Sequence, residues 1–124
     1  MLSFNHYAYG AVIDWVYRNV AGLAPTLDAP GYREVVVAPK PSRSIGWARA
    51  SIESAFGAIR IDWRLDGDDG LAIDLELPIG VSGRLDAPAT ETSEVRVDGA
   101  MSAPEAMLSP GRHAIHVTRA RTSP

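Results

Sequence analysis

Three histidines, His6, His113 and His116, are the side chains of this 124-residue chain best suited to proton transfer or metal ligation near neutral pH. Their spacing does not build a metal site. His113 and His116 stand three apart in a segment with strand character, so they point to opposite faces and cannot share an ion. One half-buried and one exposed histidine is the expectation. The loop DGDDG, residues 66–70, brings three aspartates together, as a calcium loop would. It lacks the acidic ligand a helix–loop–helix site needs a few positions downstream, and such Gly-Asp clusters are ordinary hairpin turns. With no cysteine in the chain, disulfides, zinc ribbons and thiol catalysis are excluded. No metal and no cofactor is expected.

Nucleophilic catalysis fares no better. There is no GxSxG elbow, and His6 has no nucleophile beside it, since Ser3 is better employed at a helix start. The carboxylates occupy solvated strand positions or turns, where nothing raises a pKa to make a general acid. Aromatic residues are the remaining candidates. Trp15 and Trp63 fall on apolar faces and read as core. Trp47, beside Gly46 at a strand start, keeps two readings: a sugar-stacking platform, or a cap on the edge of the fold.

The elements that must position these residues follow from periodicity. SFNHYAYGAVIDWVYRNVAGL, residues 3–23, reads as one helix, capped by Ser3 or Asn5 and stopped at Gly22. Ala8, Val12, Trp15, Val16 and Val20 make its main apolar face, but Phe4, Tyr7, Tyr9, Ala11 and Ile13 make other sides apolar too. Beyond the linker APTLDAPGY the period becomes 2. Strands are expected at 33–38, 46–54, 57–65, 71–77, 80–86, 93–99 and 113–119. The third and fourth of these form a hairpin in which either Arg60 faces Glu76 or Arg64 faces Asp74, two registers that both keep the faces matched. The fold class is mainly β: an antiparallel β-sandwich of about seven to eight strands preceded by one N-terminal α-helix.

Composition excludes further classes. Net charge is −3 and the 12 basic residues are scattered, so nucleic acid is not an expected partner. The longest apolar stretch, residues 7–16, is broken by Gly10 and Asp14 and is too short to span a bilayer. The N-terminus does not read as a signal peptide, and the cellular location stays open. The chain starts at or just before a helix, with no lead-in, and an upstream segment is expected to be missing.

SFNHYAYGAVIDWVYRNVAGL resembles the closing helix of the catalytic domain in bacterial α-L-rhamnosidases, family 78 of the glycoside hydrolases. GYREVVVAPKP, IGWARASIESAFGAIRIDWRL, LELPIGVSGRLDAP and SPGRHAIHV are similar to the C-terminal β-sandwich of that family. The resemblance covers nearly the whole chain, and SFNHYAYG is its most specific part. It implies a multidomain enzyme built on an (α/α)6 barrel that removes terminal α-linked L-rhamnose by inverting hydrolysis, with one acid protonating the leaving group and another activating water. Those carboxylates belong to upstream barrel segments, so this chain alone is expected to be inactive. Residues 1–24 would be the last barrel helix and residues 25–124 an accessory sandwich. His6 matches the family histidine that helps position the bound rhamnose.

The expected partners are the upstream barrel and rhamnose-containing glycans. Two other classes stay open. One is a carbohydrate-binding module with Trp47 or Tyr32 as platform; the other is self-association through the exposed apolar side of the helix.

Overall fold

Alternation of apolar and charged residues from Gly57 to Leu77 becomes the centre of the larger of two sheets. The computed structural model describes residues 21–25, 34–42, 44–54, 56–67 and 70–122. Ten strands lie among them: β1 (Leu23–Pro25), β2 (Glu34–Val37), β3 (Trp47–Ser54), β4 (Gly57–Asp66), β5 (Gly70–Leu77), β6 (Ser82–Asp86), β7 (Val95–Val97), β8 (Ala100–Ser102), β9 (Glu105–Leu108) and β10 (Gly111–Val117). The six-stranded sheet has the order β3-β4-β5-β10-β7-β8, and the four-stranded sheet the order β1-β2-β6-β9.

Three expectations need correction. The count exceeds seven to eight because β1, β8 and β9 hold only three or four residues each, too few to display a period of two. The sandwich is not wholly antiparallel: β2 and β6 run parallel, with Glu34 opposite Ser82 and Val37 opposite Leu85. Between them lies the β3–β4–β5 meander, which belongs to the other sheet. Their pairing therefore closes a crossover and not a hairpin, and only hairpin-joined neighbours must be antiparallel.

The third correction concerns the end of the expected helix. Leu23 lies in β1 and pairs with Val37. Gly22 adopts φ +84°, and its carbonyl accepts a 2.7 Å bond from the Ala38 amide. A Cβ at Gly22 would sit 2.4 Å from the Ala38 carbonyl carbon, so only glycine permits this approach. Pro25 is tolerated because β1 is an edge strand. The rest of that helix, residues 3–20, with His6 and Trp15, lies outside the described residues, as does Tyr32.

In the β4–β5 pair Arg60 stands opposite Glu76. Arg64 still reaches Asp74 diagonally at 4.0 Å, so one register satisfies both charge pairings. The inward residues Ile59, Ile61 and Trp63 of β4 and Leu71, Ile73, Leu75 and Leu77 of β5 are buried. They meet Leu23, Val35, Val37, Leu85 and Leu108 of the smaller sheet in one core. The sheets approach closely at Gly83, where a Cβ would lie 3.1 Å from Leu77 Cδ1.

Trp63 is 0% exposed, whereas Trp47 is 67% exposed. Trp63→Ala is expected to cost about 3–5 kcal/mol through lost burial and the cavity left behind. Trp47→Ala should stay within about 0.5 kcal/mol of wild type. Urea denaturation of both variants checks the contrast; comparable losses would place Trp47 in the core.

Candidate functional site

The outer face of the six-stranded sheet gathers most of the polar chemistry, and strand register dictates how. Trp47, Arg64, Ala72, His116, Arg96 and Met101 form one continuous row across all six strands. Beside it run Arg49, Asp62, Asp74 and Ala114, and beyond them Ser51, Arg60, Glu76 and Arg112. Asp62 and Asp74 face each other as like charges. Each has a guanidinium partner: Arg49 Nε donates to Asp62 at 3.0 Å, and Arg64 lies 4.0 Å from Asp74.

Glu76 accepts from two arginines, Arg60 at 2.6 Å and Arg112 at 3.0 Å. The bond from Arg60, followed by that from Arg112, holds its carboxyl below the usual glutamate value. Exposed pairs of this kind are screened by solvent, so the ladder orients side chains more than it stabilises the fold.

Small side chains open this face. Around Ala114, a shallow depression of about 500 Å³ is bounded by Arg60, Asp62, Asp74, Glu76 and Arg112, with Asp98 and His113 at its end. A second, of about 330 Å³, lies over Ala72 and Ala114 between Arg64, Asp74, Arg96 and His116. They share Asp74 and Ala114 and so run together as one trough.

Trp47 stands at the end of the first row, on the outer face and not beneath the sheet edge. A turn in which the Ile45 amide donates to Ser42 Oγ at 3.0 Å leads into β3, and Gly46 accepts from the Leu65 amide at 2.7 Å. That bond makes Trp47 and Arg64 a non-hydrogen-bonded pair, the kind whose side chains stand closer together.

His113 and His116 occupy opposite faces of β10. His116 faces outward in the first row, while His113 pairs with the buried Leu75. His113 Nδ1 lies 2.7 Å from Asp98 Oδ2, and its Nε2 lies 2.7 Å from the Ser109 carbonyl. Both neighbours are acceptors, so only the doubly protonated ring donates to both. Burial alone would lower the His113 pKa; the Ser109 carbonyl and the Asp98 carboxylate outweigh it and carry the group above the usual imidazole value.

Asp98 also accepts from the Ala114 amide at 2.8 Å, and this bond, followed by His113, holds its carboxyl below the usual aspartate value. Sequence reasoning missed this pair. Its signal is the Asp98-Gly99 dipeptide, whose φ values of +52° and +85° suit a type I′ hairpin turn between β7 and β8. Among the described residues no group of three or more His, Cys, Asp or Glu could hold a metal ion, and Asp68 and Asp69 lie outside those residues.

Residues 22–102 match the family model described as the bacterial alpha-L-rhamnosidase C-terminal domain. An alpha-L-rhamnosidase of Streptomyces avermitilis is 36% identical over 96 residues, covering 77% of this chain and 9% of the relative. One from Alteromonas sp. is 33% identical over 89 residues, covering 72% of this chain and 9% of the relative. The chain thus spans about a tenth of the length of the curated relatives it matches.

The crystal structure of the Streptomyces avermitilis enzyme complexed with L-rhamnose superposes with TM-score 0.70 at 31% identity, over 95% of this chain and 12% of that one. An Aspergillus terreus α-L-rhamnosidase gives TM-score 0.75 at 24% identity, over 96% of this chain and 12% of that one, a likeness of fold alone.

The His113–Asp98 pair gives stability a defined pH dependence. A raised histidine pKa contributes fully below its unfolded value and is lost as pH rises through the native one. Asp98, with its pKa lowered, contributes above its unfolded value and loses that contribution in acid. The melting-temperature advantage of wild type over His113→Gln should therefore be large near about pH 5 and shrink by about pH 9. A constant difference across that range would show that His113 acts through packing alone.

Proposed function

The chain belongs to the bacterial α-L-rhamnosidase C-terminal domain family, and from that premise we propose that it is the accessory sandwich of a rhamnosidase. Its role is to pack on an upstream catalytic barrel. The parent enzyme hydrolyses terminal α-L-rhamnosides in rhamnose-containing glycans, with inversion. The observation that carries this reading is proportion: the chain matches only about a tenth of relatives named as alpha-L-rhamnosidases. Asp62, Asp74 and Glu76 on the larger sheet are each paired with an arginine, an arrangement unsuited to acid–base hydrolysis.

On this reading residues 1–24 supply the last helix of the barrel and residues 25–124 the sandwich. That boundary falls inside β1, so the two units share a strand at their junction. The chain enters the sandwich at Gly22, held against Ala38. Next to this entry lies a crevice of about 430 Å³ lined by Pro39, Lys40, Pro41, Pro88, Arg121 and Thr122. Proline rings bring no N–H to be stranded when covered, which suits the crevice to receiving the preceding domain. His6, on the barrel side of the boundary, positions the rhamnose. Without the barrel, the apolar sides of residues 3–20 drive self-association.

Turnover of an aryl α-L-rhamnoside tests the reading. The 124-residue chain should show none above buffer, while the parent carrying the upstream barrel is active. His6→Ala in the parent should lower kcat/KM by about tenfold or more, the effect of losing one hydrogen bond to a buried ligand. Enzyme-like turnover by the isolated chain would overturn the proposal.

A further inference from the structure

The outer face of the six-stranded sheet combines features that the core does not require. Trp47 keeps 67% of its surface open on the edge strand β3, directly opposite Arg64, which lines the trough. Ala72 and Ala114 lower the floor where other residues would fill it. Along the trough, guanidinium donors alternate with carboxylate acceptors, and His116 adds a ring nitrogen. We propose that this trough binds a neutral oligosaccharide laid across the strands, with Trp47 stacked on one pyranose ring and Arg64, Asp74 and His116 hydrogen-bonded to its hydroxyls.

Charge and polarity select this ligand class. The strand residues of the face carry five arginines, at 49, 60, 64, 96 and 112, and five carboxylates, at 53, 62, 66, 74 and 76, so no net field favours an anion such as nucleic acid. A protein partner would have to bury these ion pairs at the centre of its contact, where desolvation offsets their attraction and charged residues are depleted. A sugar makes neither demand. Its C–H face suits an indole, and its hydroxyls both donate and accept, matching arginine and aspartate side by side. Strands stand ~4.8 Å apart, so the row from β3 to β7 spans about 19 Å, room for several sugar units. Affinity should accordingly grow with chain length.

The site belongs to this chain alone, so it stands or falls independently of the proposed barrel. The test is calorimetry and indole N–H chemical shifts of the 124-residue chain with L-rhamnose, cellotetraose, xylotetraose and mannotetraose. At least one tetrasaccharide should bind with Kd of about 1 mM or tighter and shift the Trp47 indole signal. Trp47→Ala should weaken binding by about tenfold or more, and Trp47→Tyr by no more than about threefold. Silence with all four sugars at ~10 mM, where a ligand of Kd about 1 mM would nearly saturate the site, overturns the proposal, as does binding untouched by Trp47→Ala. If Trp47→Ala instead frees the sandwich to proteolysis in the intact parent, while sugars stay silent, the trough is a protein contact and the proposal is wrong.

Discussion

Because side chains alternate across a strand, sliding β5 by one residue along β4 would turn Leu71, Ile73, Leu75 and Leu77 out to water and bring Asp74 and Glu76 inside. The pairing of Arg60 with Glu76 is therefore more than one surface ion pair. It accompanies the register that puts Trp63 in the core and every strand arginine of this sheet on the other side. The trough depends on the same register, since Ala72 and Ala114 fall beside each other only when β4, β5 and β10 are aligned in this way. Core and surface site are two faces of a single alignment.

Electrostatics on the outer face works by placement and not by strength. Paired, solvent-screened charges add little to stability, but they hold guanidinium and carboxylate groups at fixed spacing over an alanine floor. At the trough's end the logic differs. His113 has an acceptor on each ring nitrogen, so its protonation ties the β7–β8 turn to β10 through Asp98. The same carboxylate caps the Ala114 amide, on the residue that lines the trough.

Much of the larger sheet was legible because its strands are long and half-buried: Ile59, Ile61, Trp63 and Leu65 alternate with Arg60, Asp62 and Arg64 over one strand. Its register was not legible. A shift of two residues preserves both faces and sets Arg64 instead of Arg60 directly opposite a carboxylate, and only the full sheet decides. Strands of three or four residues carry too little of a period, which hid β1, β8 and β9. The parallel partnership of β2 and β6 joins segments far apart in sequence, beyond any local signal. Trp47 could be recognised as a candidate from its type and position, but its exposure depends on how the Ser42–Ile45 turn delivers it to the sheet edge. The Asp98–His113 contact bridges 15 positions and needed the sheet to bring it together.

The parallel β2–β6 pair also orders events in time. The β3–β4–β5 meander closes through short hairpins and can assemble as soon as its residues are free to collapse. The central ladder of the smaller sheet has no such shortcut: Val37 must wait for Leu85, across the entire meander, before it exists. β1 and β2 are near neighbours in sequence, but their pair joins the rest of that sheet only then. The run β1-β2-β6 is therefore complete only once Leu85 has reached Val37.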